Sequence, residues 1–217
     1  MQVKLIAITR HLHSPSAHPS ETLIEHAGRI CYHSQPTGTA EGTAKFVQRR
    51  VDEGHESIIE HASASFEISG ISRACSHQLV RHRLASFSQE SQRYVDMSAP
   101  QWVVPPEIAG NPEATAIWDR FLQQAQEAYR QLRQLGIKKQ DARFLLPNAT
   151  ATRLILSANY RELLHIFRLR ISPHAQWEIR ELCVCMLNEI CPHAPSVFER
   201  LRTDLQTQYP QFFEGTP

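Results

Sequence analysis

The chain has 217 residues, 41% hydrophobic and 21% charged, with a net charge of +1. That suits one globular domain with a real core, and it argues against a dedicated DNA or RNA binder, which carries a strong basic excess. No run of about 18 apolar residues exists, so no membrane span is legible, and five scattered cysteines without a CxxC pair point to a reduced, cytoplasmic setting.

Val3–Thr9 is apolar and β-branched and predicts a buried strand; its apolar part is too short and too quickly charged for a signal peptide. Ser20 before Glu21 and an apolar face of Leu23, Ala27 and Ile30 predicts a capped helix. A Gly/Thr/Pro loop over Gln35–Gly42 leads to a second helix over Ala44–Glu53, stopped by Gly54. Ala62, Ala64, Phe66 and Ile68 alternate with polar residues, the period of a strand with one buried face. Ser72 is placed to cap a short helix over Arg73–Val80. Asn111-Pro112-Glu113 reads as cap, first-turn proline and first-turn acid. The helix they open runs to about Leu135, presents Ile117, Phe121, Ala125, Ala128, Leu132 and Leu135, and ends at Gly136. A short helix over 138–145, a strand over Thr150–Ser157, an Asn159-capped helix to about Arg170 and a helix from His174 to Cys191 complete the pattern. The result mixes α and β, with a helix-rich second half.

Several chemistries lack their marks. There is no GxGxxG and no GxxxxGK[ST], and the eight glycines are scattered singly, so phosphate recognition falls to side chains, which arginine does best. HESIIEH at His55–His61 spaces its histidines by six rather than four, which fails the helical zinc geometry; no metal is expected. Ser91 has no GxSxG elbow. Cys183, Cys185 and Cys191 have no basic neighbour in sequence and read as packing.

Residues 81–94, RHRLASFSQESQRY, interleave Arg81, His82, Arg83 and Arg93 with small hydroxyl and amide side chains. Alone, such a stretch is also a solvated basic loop. A second basic run, RELLHIFRLRISPHAQWEIR, places Arg161, Arg168, Arg170 and Arg180 around a helix-Pro-helix corner. There His174 and Ala175 are expected to open a helix with free N–H groups. Two arginine clusters with small polar partners suggest a site for more than one anionic group. The same clusters also fit a non-catalytic nucleotide or RNA binder, and a serine hydrolase is a third, weaker reading.

Arg81-His82-Arg83, seven residues, then Ser91 resembles the RHR-x7-S signature of the flavin-dependent thymidylate synthases. GHESIIEH from Gly54 and LRISPHAQWEIRE resemble that family's upstream and C-terminal segments and SQESQRY a common form of the signature's second half, with Gln89 standing where some relatives carry Glu. The resemblance implies an α+β fold with a central mixed or antiparallel sheet and flanking helices, as a single domain over 1–217 with a helical subdomain at about 111–202. It implies an enzyme making dTMP from dUMP, with methylenetetrahydrofolate as carbon donor and NADPH-reduced FAD as hydride source. It further implies a homotetramer with shared active sites, with neither nucleic acid nor membrane as partner. By the same resemblance, His55, Ser57, Arg81, His82, Arg83, Arg170 and His174 meet FAD. Gln78, Arg81, Gln89, Ser91, Arg93, Arg153 and Arg180 meet dUMP, and Arg180 stabilises charge developing on the pyrimidine. Ser91 lacks a positioned base, so it is expected to bind rather than attack.

Overall fold

The computed structural model describes residues 1–31, 33–36 and 38–214. Thr37, within the expected loop over Gln35–Gly42, and the last three residues of the expected domain lie outside these. The packing divides the chain into two compact units. A flanking unit takes Val3–Glu67, Val80–Phe87 and the chain from Ile155 onward, and a middle unit takes Met1–Gln2, Ile68–Leu79 and Ser88–Leu154.

Strand β1 (Gln2–Ile8) is followed by helices α1 (Pro19–Cys31) and α2 (Ala40–Asp52). In α1 the buried face is Ser20, Glu21, Ile24, Glu25 and Gly28, while Ile30 is exposed. The expected Leu23–Ala27–Ile30 face is therefore rotated, and Ser20 sits inside the first turn rather than capping it. The reason is polar. Glu21 accepts from the Ser196 N–H (2.7 Å) and hydroxyl (2.8 Å), and Glu25 accepts from Arg29 and from Thr43 (2.6 Å). Buried carboxylates with such partners outcompete a partial apolar stripe. Gly28 completes that face, since a Cβ there would lie 2.7 Å from the Phe46 ring. Helix α2 begins four residues earlier than expected because Thr39 Oγ1 accepts from Gly42 N–H and caps it. Gly54, at φ +78°, ends it as predicted.

Strand β2 (Ser63–Ser72) buries Ala64, Phe66 and Ile68 on one face, as the alternation requires, and Ala62 just before it is buried too. Ser72 Oγ caps α3 (Arg73–Leu79) by accepting from Cys75 N–H. β3 (Ser86–Gln89) is a strand inside the basic stretch that the sequence pattern did not reveal. After α4 (Pro106–Ala109), Asn111 accepts from the N–H groups of Glu113 and Ala114 to start α5 (Pro112–Gln134). Its buried stripe is Leu122, Ala125 and Tyr129. The expected face is thus corrected at Ile117, Phe121 and Leu135, which are exposed. Tyr129 decides the rotation: its ring packs with Met97, Ala142, Leu132 and Leu146, and its hydroxyl accepts from Met97 N–H.

α6 (Lys139–Ala142) leads to β4 (Ala151–Asn159), which points Thr152, Leu154, Leu156 and Ala158 inward. The sheet is antiparallel, in the order β1-β2-β4-β3. Asn159 caps α7 (Tyr160–Arg170) by accepting from Glu162 N–H. α8 (Trp177–Ile190) starts three residues later than expected, behind a Gln176 cap. α9 (Pro195–Gln208) follows Pro192, and sequence reading gave it no signal. In the flanking unit Phe198 of α9 meets Tyr160 and Phe167 edge-on at 5.0 and 6.0 Å. Each buried aromatic there contributes about 1.5–3 kcal/mol, which holds α7 and its N-terminal half-turn in place.

Candidate active site

The basic stretch begins where α3 ends, and its three leading residues meet opposite fates. Arg81 and Arg83 are exposed and have no hydrogen bond or ion pair with any described residue. His82 between them is 5% exposed. The Arg170 Nε–H donates to His82 Nε2 at 3.0 Å. An arginine has no lone pair to accept with, so His82 Nε2 is unprotonated and Nδ1 carries the proton. Nδ1 stands 3.6 Å from Glu162 Oε1, and the His165 ring lies edge-on at 5.7 Å. Burial, then the Arg170 charge, then His165 push the His82 pKa down to about 4, and burial raises the Glu162 carboxyl. The His82–Glu162 contact is therefore not an ion pair at neutral pH. A neutral imidazole is locked in one tautomer between a cation and a carboxyl.

The second basic run is less available than its composition suggests. Arg168 pairs with Glu56 at 2.8 Å, and Arg161 pairs with Glu56 and Glu60. Both acids belong to the 3₁₀ turn Glu56–His61, beside the exposed His55 and Ser57. His174 is exposed but opens no helix. Its N–H donates to Ser172 Oγ (3.3 Å) and the Ala175 N–H to Ser172 O (3.0 Å), so the expected free N–H groups are used by a turn. Arg180, in the first turn of α8, donates through Nη1 to Ala175 O at 3.0 Å and Ser172 O at 3.4 Å. Its guanidinium lies 4.1 Å from the centre of the Phe212 ring. A plane stacked on one face and tied at one edge is held in a fixed orientation, which a lysine would not reproduce.

In the middle unit, Gln89 donates through Nε2 to Ser76 Oγ (3.0 Å) and Thr152 Oγ1 (3.2 Å). Glu90 N–H donates to Arg153 O, and the Glu90 carboxylate meets Arg153 Nε at 3.3 Å. Ser91 starts a turn, its carbonyl accepting from Tyr94 and Val95 N–H and its hydroxyl accepting from Arg93 N–H at 3.3 Å. With Glu90 held by Arg153, no described base reaches Ser91. Arg93 donates through Nε to Gln140 Oε1 at 3.1 Å, a neutral partner that leaves its charge uncompensated. Arg93, Arg133, Lys138 and Lys139 line a cavity of about 400 Å³ that no carboxylate lines. Glu90, Thr152 and Arg153 line another, of about 320 Å³. Gln78 is half-buried in α3.

The site residues expected from sequence thus divide by unit. His55, Ser57, Arg81, His82, Arg83, Arg170, His174 and Arg180 lie in the flanking unit, and Gln78, Gln89, Ser91, Arg93 and Arg153 in the middle one. Sequence reasoning missed the neighbours that hold these residues: Glu162 and His165 for His82, Ser76 and Thr152 for Gln89, Gln140 for Arg93. No motif marks them, because each acts through a contact made by folding and not by sequence adjacency. The three cysteines behave as expected: Cys183 and Cys191 are buried and Cys185 partly so, and burial pushes the Cys183 thiol up to about 12, leaving no thiolate to attack with.

The family model for thymidylate synthase complementing protein matches residues 14–196. A protein named flavin-dependent thymidylate synthase from Geobacter sulfurreducens is 41% identical over 201 residues, covering 89% of this chain and 84% of that one. Proteins of the same name from Mycobacterium sp. (strain KMS) and Nitratidesulfovibrio vulgaris are 39% and 40% identical, covering 91% and 85% of this chain and 89% and 87% of theirs. The chain belongs to the flavin-dependent thymidylate synthase family. Among the described residues of this family member no helix is long and apolar enough to cross a membrane. Arg81, His82, Arg83 and Ser91 all lie within the matched stretch.

Proposed function

We propose that this chain converts dUMP to dTMP, with methylenetetrahydrofolate as carbon donor and NADPH as reductant of a bound FAD, in the cytoplasm. The observation that carries this reading is the intact Arg81-His82-Arg83-x7-Ser91 signature, whose two arginines are exposed and uncommitted. The donor set fits a flavin dinucleotide. Arg81 and Arg83 offer bidentate forks to a pyrophosphate, while His55, Ser57 and His174 are exposed polar groups of the same unit. Neutral His82, fixed by Arg170, keeps the RHR segment in one conformation without adding a third charge. When bound, the flavin supplies the hydride for the reduction.

The remaining work belongs to the chain. Arg93, its charge uncompensated by Gln140, and the Ser91 turn suit the phosphate of dUMP, with Gln78, Gln89 and Arg153 also assigned to that substrate. Arg180, stacked and tied, presents a planar fork to a carbonyl edge and stabilises negative charge as the pyrimidine C5 becomes nucleophilic. Ser91 binds and is not covalently attached, since no base is placed to remove its proton. A homotetramer with shared sites belongs to the same reading. Exposed Ile117, Phe121 and Leu135 on α5, with Phe144 at 83% exposure, are apolar surface that other subunits would cover. Five free cysteines agree with the cytoplasmic setting.

The test is spectroscopic and then chemical. The purified protein is expected to carry FAD, to be bleached by NADPH without oxygen, and to form dTMP when dUMP and methylenetetrahydrofolate are added. Colourless protein that also fails to take up added FAD overturns the reading.

A further inference from the structure

Gln89 has its amide held at one end only. Nε2 lies 3.0 Å from Ser76 Oγ and 3.2 Å from Thr152 Oγ1. Which end of the amide faces Ser76 is decided by Ser76 itself. A serine hydroxyl has one proton, and Ser76 gives it to the Arg73 carbonyl at 2.9 Å. Toward Gln89, Ser76 is therefore an acceptor, and only the NH₂ end of the amide satisfies it. The flipped amide would set its oxygen against the oxygen of the fully buried Ser76 hydroxyl, which no other described donor satisfies. Both amide protons are thus used, and Gln89 Oε1 accepts from no described residue.

We infer that Ser76 and Thr152 are positioning residues that lock Gln89 as a pure acceptor, and that it reads a ring imide N–H. This rests on the function proposed above and sharpens it. Phosphates and ring carbonyls only accept and would repel Oε1, whereas an imide N–H between two carbonyls donates. The uracil ring of dUMP and the pyrimidine edge of the flavin share that group.

The experiment compares each ligand with its N3-methyl form, which cannot donate: dUMP against N3-methyl-dUMP, and FAD against N3-methyl-FAD. Binding is measured by titration to the wild type and to Ser76→Ala, Thr152→Val and Thr152→Ser. The wild type is expected to prefer the N–H form in one series by roughly 3–10-fold beyond the penalty for methyl bulk, the worth of one hydrogen bond. Ser76→Ala and Thr152→Val lose that part of the preference, and Thr152→Ser, which keeps a hydroxyl, retains it. The series in which the loss occurs identifies the uracil or the flavin as the group read. A merely structural role weakens both forms of a ligand equally. If Ser76→Ala melts early, Thr152→Val carries the test. Equal preference in wild type and both hydroxyl-deleted variants overturns the inference. A wild type that binds neither dUMP nor FAD overturns instead the function on which it rests.

Discussion

His82 and Arg180 of the flanking unit and Arg93 and Arg153 of the middle unit are held in opposite ways. In the flanking unit, His82 is buried and interlocked with Arg170, Glu162 and His165, and Arg180 is stacked and tied. In the middle unit, Arg93 and Arg153 are exposed, Arg93 hydrogen-bonded to Gln140 and Arg153 paired with Glu90. Interlocked groups fix geometry and lose much when one member goes, because the others are left unsatisfied in a place without water. Exposed cations contribute little to the fold and are free to serve a ligand. On this contrast, substitutions at His82, Arg170 and Arg180 cost stability or turnover, and those at Ser91, Arg93 and Arg153 cost ligand affinity alone.

The sharpest test is Arg180→Lys. A point charge remains but the fork is lost, so turnover at saturating dUMP is expected to fall by roughly 10²–10³-fold, with FAD binding nearly normal. Unchanged dTMP formation would remove Arg180 from the chemistry. Acid gives the next effect. His82 has a folded pKa of about 4 against an ordinary 6.5, so as pH falls the unfolded chain takes up that proton first. Its contribution to stability is complete above pH 6.5 and is lost as pH drops toward 4, by up to about 3 kcal/mol. Denaturant midpoints across that range measure it, and His82→Gln should flatten the slope there.

Arg170→Met leaves His82 Nε2 without its donor. Stability is expected to fall by about 1–3 kcal/mol, with the imidazole pKa rising, which proton NMR reads directly. A loss below a few tenths of a kcal/mol would break the contrast between the units. Ser91→Ala is its counterpart in the middle unit: dUMP affinity weakens by about 1–3 kcal/mol, while turnover persists at saturating substrate. Abolished turnover at native affinity would restore Ser91 as a nucleophile. The smallest effect belongs to Arg153→Ala. Its pair with Glu90 is 69% exposed on the arginine side, so melting should shift by less than about 1 kcal/mol. A larger loss would show that this exposed pair is structural after all.

Much of this was legible in the sequence because it is local. Caps at Ser72, Asn111 and Asn159 and left-handed stops at Gly54 and Gly136 each act within a few residues of where they stand. The alternation that builds β2 is equally local. The signature itself is a short string, so the family and its candidate residues could be read without coordinates. Tertiary structure alone decided which faces turn inward and which charges are free. Glu21 and Glu25 rotated α1 toward partners at Ser196 and Thr43, and Tyr129 rotated α5 to reach Met97. Arg161 and Arg168 were lost from the second basic cluster to Glu56 and Glu60, about a hundred residues earlier in the chain. His82 became a buried neutral base only because α7 brings Arg170, Glu162 and His165 against it. A sequence pattern records the period of a helix and the chemistry of a cap. It does not record which distant partner satisfies a buried charge, and that pairing sets the face, the tautomer and the charge state.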